Sequence, residues 1–153
     1  MIISEYKKYK SFIKKDNDII KLKQKIKDIT RFRQLTSIMN DTKWIELQKE
    51  INQLPFPPAY NLKLIHLEEN EFSSDNFNNE PSYYGDWSSF WEEGLPVFAA
   101  IEWIEIRPKF RKNIGRLISP EIIDETNELT DLLKKLKIPF ETKDGSIFIQ
   151  CYK

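Results

Sequence analysis

The chain contains one cysteine, one histidine and four glycines. A lone Cys151 excludes an intramolecular disulfide and any cysteine-based zinc site built within one chain, so a reducing cytoplasm is the expected setting. Near the end of an apolar strand it reads as a buried, inert thiol. A lone His66 beside no nucleophile motif gives a Ser-His-Asp arrangement no support. Gly85, Gly94, Gly115 and Gly145 are too scattered for a phosphate-cradling loop or a dinucleotide fingerprint. Apolar runs such as residues 95–101 fall far short of the ~20 residues a membrane helix needs. The first residues alternate lysine with apolar side chains, where a signal peptide needs an unbroken core. The sequence therefore suggests no cofactor, no metal and no membrane partner.

What is present is a globular composition in which 40% of residues are hydrophobic and 31% charged over 153 residues, enough for one domain. Lysine, isoleucine and asparagine are abundant, a bias expected of an AT-rich bacterial genome. The formal net charge is zero, but the charges are segregated. Residues 1–40 carry net +7, residues 41–106 net −10 and residues 107–153 net +3. No Lys or Arg occurs from Leu64 to Ile106, a stretch holding Glu68, Glu69, Glu71, Asp75, Glu80, Asp86, Glu92, Glu93, Glu102 and Glu105. Phe72, Phe77, Tyr83, Tyr84, Trp87, Phe90 and Trp91 are interleaved with them.

Periodicity supplies the elements. Ile19, Leu22, Ile26, Ile29, Phe32, Leu35 and Ile38 recur every three or four residues, predicting an amphipathic helix over 17–39. A shorter helix precedes the Asp16-Asn17-Asp18 cap signal and carries Tyr6, Tyr9, Phe12 and Ile13. Asn40 or Asp41 caps a third helix bearing Trp44, Leu47, Ile51 and Leu54, which the prolines of residues 54–58 end. Alternation from Tyr60 to His66 predicts a strand, and residues 68–80 a polar loop. Asp86 is expected to cap a short helix with Trp87, Phe90 and Trp91 on one face, stopped by Gly94. Residues 97–106 predict a central strand covered on both faces. Residues 110–118 suggest an irregular crossing or a second strand. Ser119, Pro120 and Glu121 form a helix-start signal, predicting a helix over 120–137 with Ile122, Thr126, Leu129, Leu133 and Leu136 buried. Asp144-Gly145 predicts a terminal hairpin. The result is an α+β fold: an antiparallel or mixed sheet packed by helices in residues 40–153, with residues 1–39 as a basic helical N-terminal extension.

Carboxylates that steer an encounter, together with aromatic anchors, suit a basic protein partner. That reading makes the protein a non-enzymatic binding module, of the kind an immunity protein or antitoxin represents. Its binding residues are Tyr84, Asp86, Trp87, Trp91, Glu92 and Glu93. The plainer reading packs the aromatics inward and lays the basic N-terminal helix across the carboxylates. Glu102 alternates onto the face of Ile104 and Ile106, so it requires a partner, and the cations from Arg107 to Arg116 are the nearest in sequence. The enzymatic alternative is a small carboxylate-dependent hydrolase, metal-assisted or not, using Asp86, Glu102, Glu105 and His66. The Arg107–Arg116 cluster reads as a solvated loop, and nucleic acid is not the expected partner.

The ordered pieces Thr42-Lys43-Trp44, Leu54-Pro55-Phe56-Pro57-Pro58-Ala59-Tyr60, Tyr84-Gly85-Asp86-Trp87, Ile101-Glu102-Trp103-Ile104, Ile106-Arg107-Pro108, Ser119-Pro120-Glu121-Ile122 and Ile138-Pro139-Phe140-Glu141 resemble a family of small stand-alone bacterial proteins of unknown function. The resemblance covers about residues 40–153. It implies a single cytoplasmic domain and brings no mechanism with it.

Overall fold

The computed structural model describes residues 2–68 and 80–153. The expected loop over 68–80 lies almost wholly outside them, as do Glu69, Glu71, Phe72, Asp75 and Phe77. Helix α1 spans Ile2–Lys15 and α2 Asn17–Arg33. Asp16 separates them in an extended conformation, its Oδ1 accepting from Asp18 N at 2.9 Å and Ile19 N at 3.3 Å. Helix α2 ends six residues before the predicted 39 because Gln34 turns left-handed, φ 57°. The chain beyond it pairs elsewhere: Thr36 N donates to Lys153 O and Ile38 N to Cys151 O. Ile19 and Ile26 are buried as their spacing predicts, but Phe32 on the same stripe is 90% exposed. Helix α3, Asp41–Ile51, is capped by Asn40, whose Oδ1 accepts from Lys43 N at 2.8 Å. It buries Trp44, Leu47 and Ile51.

The main sheet has strand order β1-β2-β6-β5, every pair antiparallel. These strands are β1 Ala59–Leu64, β2 Ile101–Arg107, β5 Glu141–Lys143 and β6 Ser146–Gln150. The register places Leu62, Ile104 and Ile149 in one row and Tyr60, Ile106 and Ile147 in the next. The aliphatic members of both rows are buried and join Trp44, Leu47, Ile51, Leu129 and Leu133 in one core. Period-two alternation thus delivers one apolar face to the helices. The opposite face carries Trp103, Glu105 and Phe148, all partly exposed, with the two rings 6.1 Å apart. The central strand is therefore sealed on one face more than on the other. It also starts later than predicted, since Phe98–Ala100 forms a 3-10 turn.

The largest correction concerns residues 119–125. The predicted helix start is instead strand β4, Glu121–Asp124, paired with β3, Lys109–Lys112, in a separate two-stranded hairpin. Helix α4 runs from Thr126 to Lys135. Asp124 serves its N-terminus, Oδ1 accepting from Thr126 N at 2.9 Å and Thr126 Oγ1 at 2.5 Å. Ile122, predicted to be buried, is 45% exposed, whereas Leu129 and Leu133 are buried as expected. The terminal hairpin turns at Asp144 (φ 52°) and Gly145 (φ 79°), the paired left-handed residues a two-residue type I′ turn requires.

Residues 1–39 do not stand apart from this core. Tyr9, Ile13, Ile19 and Met39 pack into it, and Tyr9 stacks on Phe98 with centroids 4.4 Å apart. The Tyr9 hydroxyl accepts the Phe98 backbone N–H at 2.9 Å in a buried setting. That bond withdraws Phe98 from any strand ladder, consistent with β2 beginning only at Ile101.

Candidate functional site

Residues 83–92 are held by the proline-rich lead into β1. Gly85 N donates to Pro57 O at 3.1 Å, Trp87 Nε1 donates to Pro58 O at 2.8 Å, and the Tyr60 hydroxyl donates to Asp86 O at 2.6 Å. A Cβ at Gly85 would come within 2.1 Å of Pro58 O, so the two segments run closer than any side chain at that position permits. Burial, with the nearby Asp86 carboxylate, pushes the Tyr60 phenol above its ordinary range.

Asp86 does cap, but it caps a turn. Its Oδ1 accepts from Ser88 N at 3.0 Å and Ser88 Oγ at 2.5 Å. The predicted short helix reduces to one 3-10 turn, Phe90–Glu92, ended by Glu93 at φ 61° before Gly94 is reached. Gln48 of α3 locks the segment from the far side, Nε2 donating to Trp87 O at 2.8 Å and Ser89 Oγ at 3.4 Å.

Between this loop and the helices lies a cavity of about 880 Å³. Its loop wall includes Tyr84, Asp86, Trp87, Trp91 and Glu92, five of the six residues singled out in the sequence for binding. Glu93 follows immediately and is exposed. The helical wall was not legible in the sequence: α3 gives Ile45, Gln48 and Lys49, its C-cap gives Asn52, and α1 gives Glu5 and Lys8, each set at three- or four-residue spacing along one helix face. The loop wall brings Asp86 and Glu92 to the opening, and the helical wall brings Lys8 and Lys49 beside Glu5. Among the described residues no cation forms an ion pair with Asp86, Glu92 or Glu93.

The aromatics play unequal parts. Tyr84 is 57% exposed, whereas Trp87 is 6% exposed and forms floor rather than anchor. Trp91 is partly covered by α1: Phe12 stacks on it at 4.3 Å between centroids, and Lys8 Nζ sits 5.7 Å above its ring. Tyr84 also packs against Phe110 and Phe56, at 4.8 and 6.2 Å, tying the groove to the β3–β4 hairpin.

The four residues of the enzymatic alternative take separate positions. Asp86 lies at the hydroxyl of Tyr60, which pairs with Ile106, and Glu102 stands four residues earlier in β2, roughly 13 Å along the strand from Ile106. Glu105 sits opposite Asn61 and Phe148, and His66 follows the end of β1. Glu102 Oε1 is taken by Arg33 Nη1 at 2.7 Å and Lys63 Nζ at 3.1 Å. Its partners are thus on α2 and β1, not in the Arg107–Arg116 cluster. Burial opposes ionisation of Glu102, but the hydrogen bonds from Arg33 and Lys63 outweigh it and hold the carboxyl below its ordinary value. Among the described residues no group of three or more His, Cys, Asp or Glu side chains is placed to hold a metal ion.

Sequence reasoning missed Glu125. It is fully buried, with Oε1 accepting from Phe56 N at 3.2 Å and Oε2 without a hydrogen-bond partner among the described residues. Burial pushes its carboxyl up to about 8, and the neighbouring Glu128 and Asp124 add to the effect. Its backbone N–H donates to Pro108 O at 2.9 Å, so one residue joins the proline-rich lead, the end of β2 and the start of α4. Standing in an acidic run ahead of a helix, it carries no sequence signal that separates it from Glu121 or Glu128. Cys151 is buried as expected, and burial pushes its thiol up.

A family model described as a family of unknown function (DUF6678) matches residues 26–153. The chain belongs to that family. The DUF6678 match begins inside α2, earlier than the motif series from residue 40 implied, and takes in the whole loop wall of the groove. Helix α1, which supplies Glu5, Lys8 and the Trp91 cover, lies outside the matched residues. No curated protein and no solved structure matches the chain. Among the described residues no helix is long and apolar enough to cross a membrane.

Proposed function

We propose that this DUF6678 protein is a non-enzymatic binding module whose groove between α1, α3 and residues 84–92 receives a basic segment of a partner protein. The observation that carries this reading is the convergence of Tyr84, Asp86, Trp91 and Glu92 on one opening in which, among the described residues, neither Asp86 nor Glu92 forms an ion pair. Asp86, Glu92 and Glu93 supply the acidic rim, and Tyr84 is the exposed aromatic that a partner buries. Trp87 and Trp91 shape the floor. Lys8 and Lys49 on the helical wall set orientation, because a partner's cations meet attraction on one side of the groove and repulsion on the other. A cytoplasmic inhibitor of the immunity or antitoxin type works through such a surface.

The test is titration calorimetry of the purified chain against the protein encoded by the neighbouring gene, at low and high salt. Binding that weakens with salt and falls by about tenfold or more in Tyr84→Ala and in Glu92→Lys with Glu93→Lys supports the reading. Undiminished binding in both variants sinks it. So does hydrolytic turnover that Glu102→Gln abolishes.

A further inference from the structure

The tip of the β3–β4 hairpin is a second surface, outside the lining of the groove. Its base is fixed to the body: Phe110 packs against Phe56 and Tyr84, Arg111 N donates to Pro81 O at 2.8 Å, and Glu125 N donates to Pro108 O. From residue 112 to 122 every residue is exposed. Four of those residues are aliphatic: Leu117 is 100% exposed, Ile118 59%, Ile114 49% and Ile122 45%. An isolated exposed leucine is ordinary; four aliphatic side chains on one projecting hairpin are a patch.

Charge accompanies the patch. Residues 109–120 contain Lys109, Arg111, Lys112 and Arg116 and no acidic residue. Glu121 faces Lys112 across the ladder and Asp124 faces Lys109, which leaves Arg111 and Arg116 without a facing carboxylate. Among the described residues none of the four cations forms an ion pair.

We propose that the hairpin tip docks on an anionic lipid surface, with Leu117 and Ile118 entering the interfacial region and the exposed Lys112 and Arg116 meeting lipid phosphates. The chemistry discriminates among occupants. A nucleic-acid backbone matches the cations but leaves the aliphatic tip without a partner, and the tip has no aromatic ring for a base to stack on. A protein partner requires a concavity fitted to a convex wedge, whereas a bilayer interface takes such a wedge without a prepared pocket. Each cation near an anionic leaflet contributes about fivefold in affinity, so the two on the tip contribute roughly 25-fold. One short aliphatic wedge and one cation cluster together give the two weak signals that reversible membrane attachment needs.

The experiment is co-sedimentation of the full chain with vesicles of phosphatidylcholine alone and of phosphatidylcholine mixed with phosphatidylglycerol. Binding is expected only to the mixed vesicles, falling with salt. It is expected to drop by about tenfold or more in Leu117→Asp with Ile118→Asp, and likewise in Lys112→Glu with Arg116→Glu. Lys25→Glu on the exposed side of α2 is the control and should change binding by no more than about fivefold. All these side chains are exposed, so circular dichroism and melting temperature should match the unmodified chain. The proposal is overturned by absence of binding at low salt, by equal binding to neutral vesicles, or by hairpin variants that bind as well as the original. Light scattering that shows a dimer dissociated by Leu117→Asp would assign the tip to a second copy. Retardation of RNA lost in Arg116→Glu but kept in Leu117→Asp would assign it to nucleic acid.

Discussion

At Glu125 a carboxyl group is fully buried with one oxygen unpartnered among the described residues, and the fold stabilises its protonated form. Its folded value of about 8 lies above its ordinary 4.5, so the associated stability is complete below about pH 4.5 and is lost as pH rises to about 8. Glu125→Gln keeps the shape and the acceptor for Phe56 N without the charge. It is expected to melt higher than the original chain above pH 8, by at least about 1 kcal/mol, with the difference shrinking towards acid pH. Thermal denaturation at several pH values measures this. Tyr9 offers a second residue-scale test. Tyr9→Phe keeps the stack on Phe98 but leaves a buried N–H unpaired, at a cost of about 1–3 kcal/mol in urea unfolding. Periodicity placed Tyr9 on the apolar spacing of a first helix, and the helix is there. It gave no hint of the hydroxyl's acceptor role, because Phe98 is 89 residues away in sequence.

Among the elements, those written in local chemistry were legible and those imposed by pairing were not. Asn40 caps α3, Asp16 caps α2 and Asp144-Gly145 turns the last hairpin, each through side-chain or backbone geometry confined to a few residues. Residues 119–124 fail the same reading because β3 supplies hydrogen bonds that Ser119 and Pro120 cannot announce, and the helix then starts on Asp124 instead. Likewise Ser37 bridges Tyr152 and shortens α2, a contact between distant parts of the chain. The loop wall of the groove was visible as an acidic aromatic run. Its helical wall was not, since Glu5, Lys8, Gln48 and Lys49 resemble any solvated helix face until the helices pack. Gly85 tests how far the groove depends on the proline-rich lead. Gly85→Ala places a methyl against Pro58 O and is expected to cost more than about 2 kcal/mol, lower the melting temperature and weaken partner binding together. Gly145→Ala, strained only by its positive φ and with Lys109 Nζ no nearer than 3.6 Å, should cost about 1 kcal/mol and leave the groove unaffected.

Over the whole molecule the zero net charge is partly an internal neutralisation. Arg33 reaches Glu102 and Lys10 reaches Asp41 at 2.7 Å, so the basic helices do cross to the acidic middle. Asp86, Glu92 and Glu93 are left out of that compensation, which is why the groove keeps its acidic rim. The pH profile follows from the same division. Glu102, held below its ordinary value by Arg33 and Lys63, contributes stability above the unfolded carboxylate range that is lost on acidification. Glu125 acts in the opposite direction on the alkaline side, so the melting temperature is expected to peak on the acid side of neutrality. Glu125→Gln should flatten the alkaline limb, and Glu102→Gln the acid one. The strand order adds a constraint of another kind. Among the described strands β6 comes last in chain order, yet it lies inside the sheet between β2 and β5 and pairs Ile147 and Ile149 with Ile106 and Ile104. During synthesis β2 therefore waits with one edge unpaired until residues 146–150 have left the ribosome. Over the roughly forty residues made between β2 and β6 the nascent chain carries an open strand edge, and in that interval pairing with another chain competes with folding.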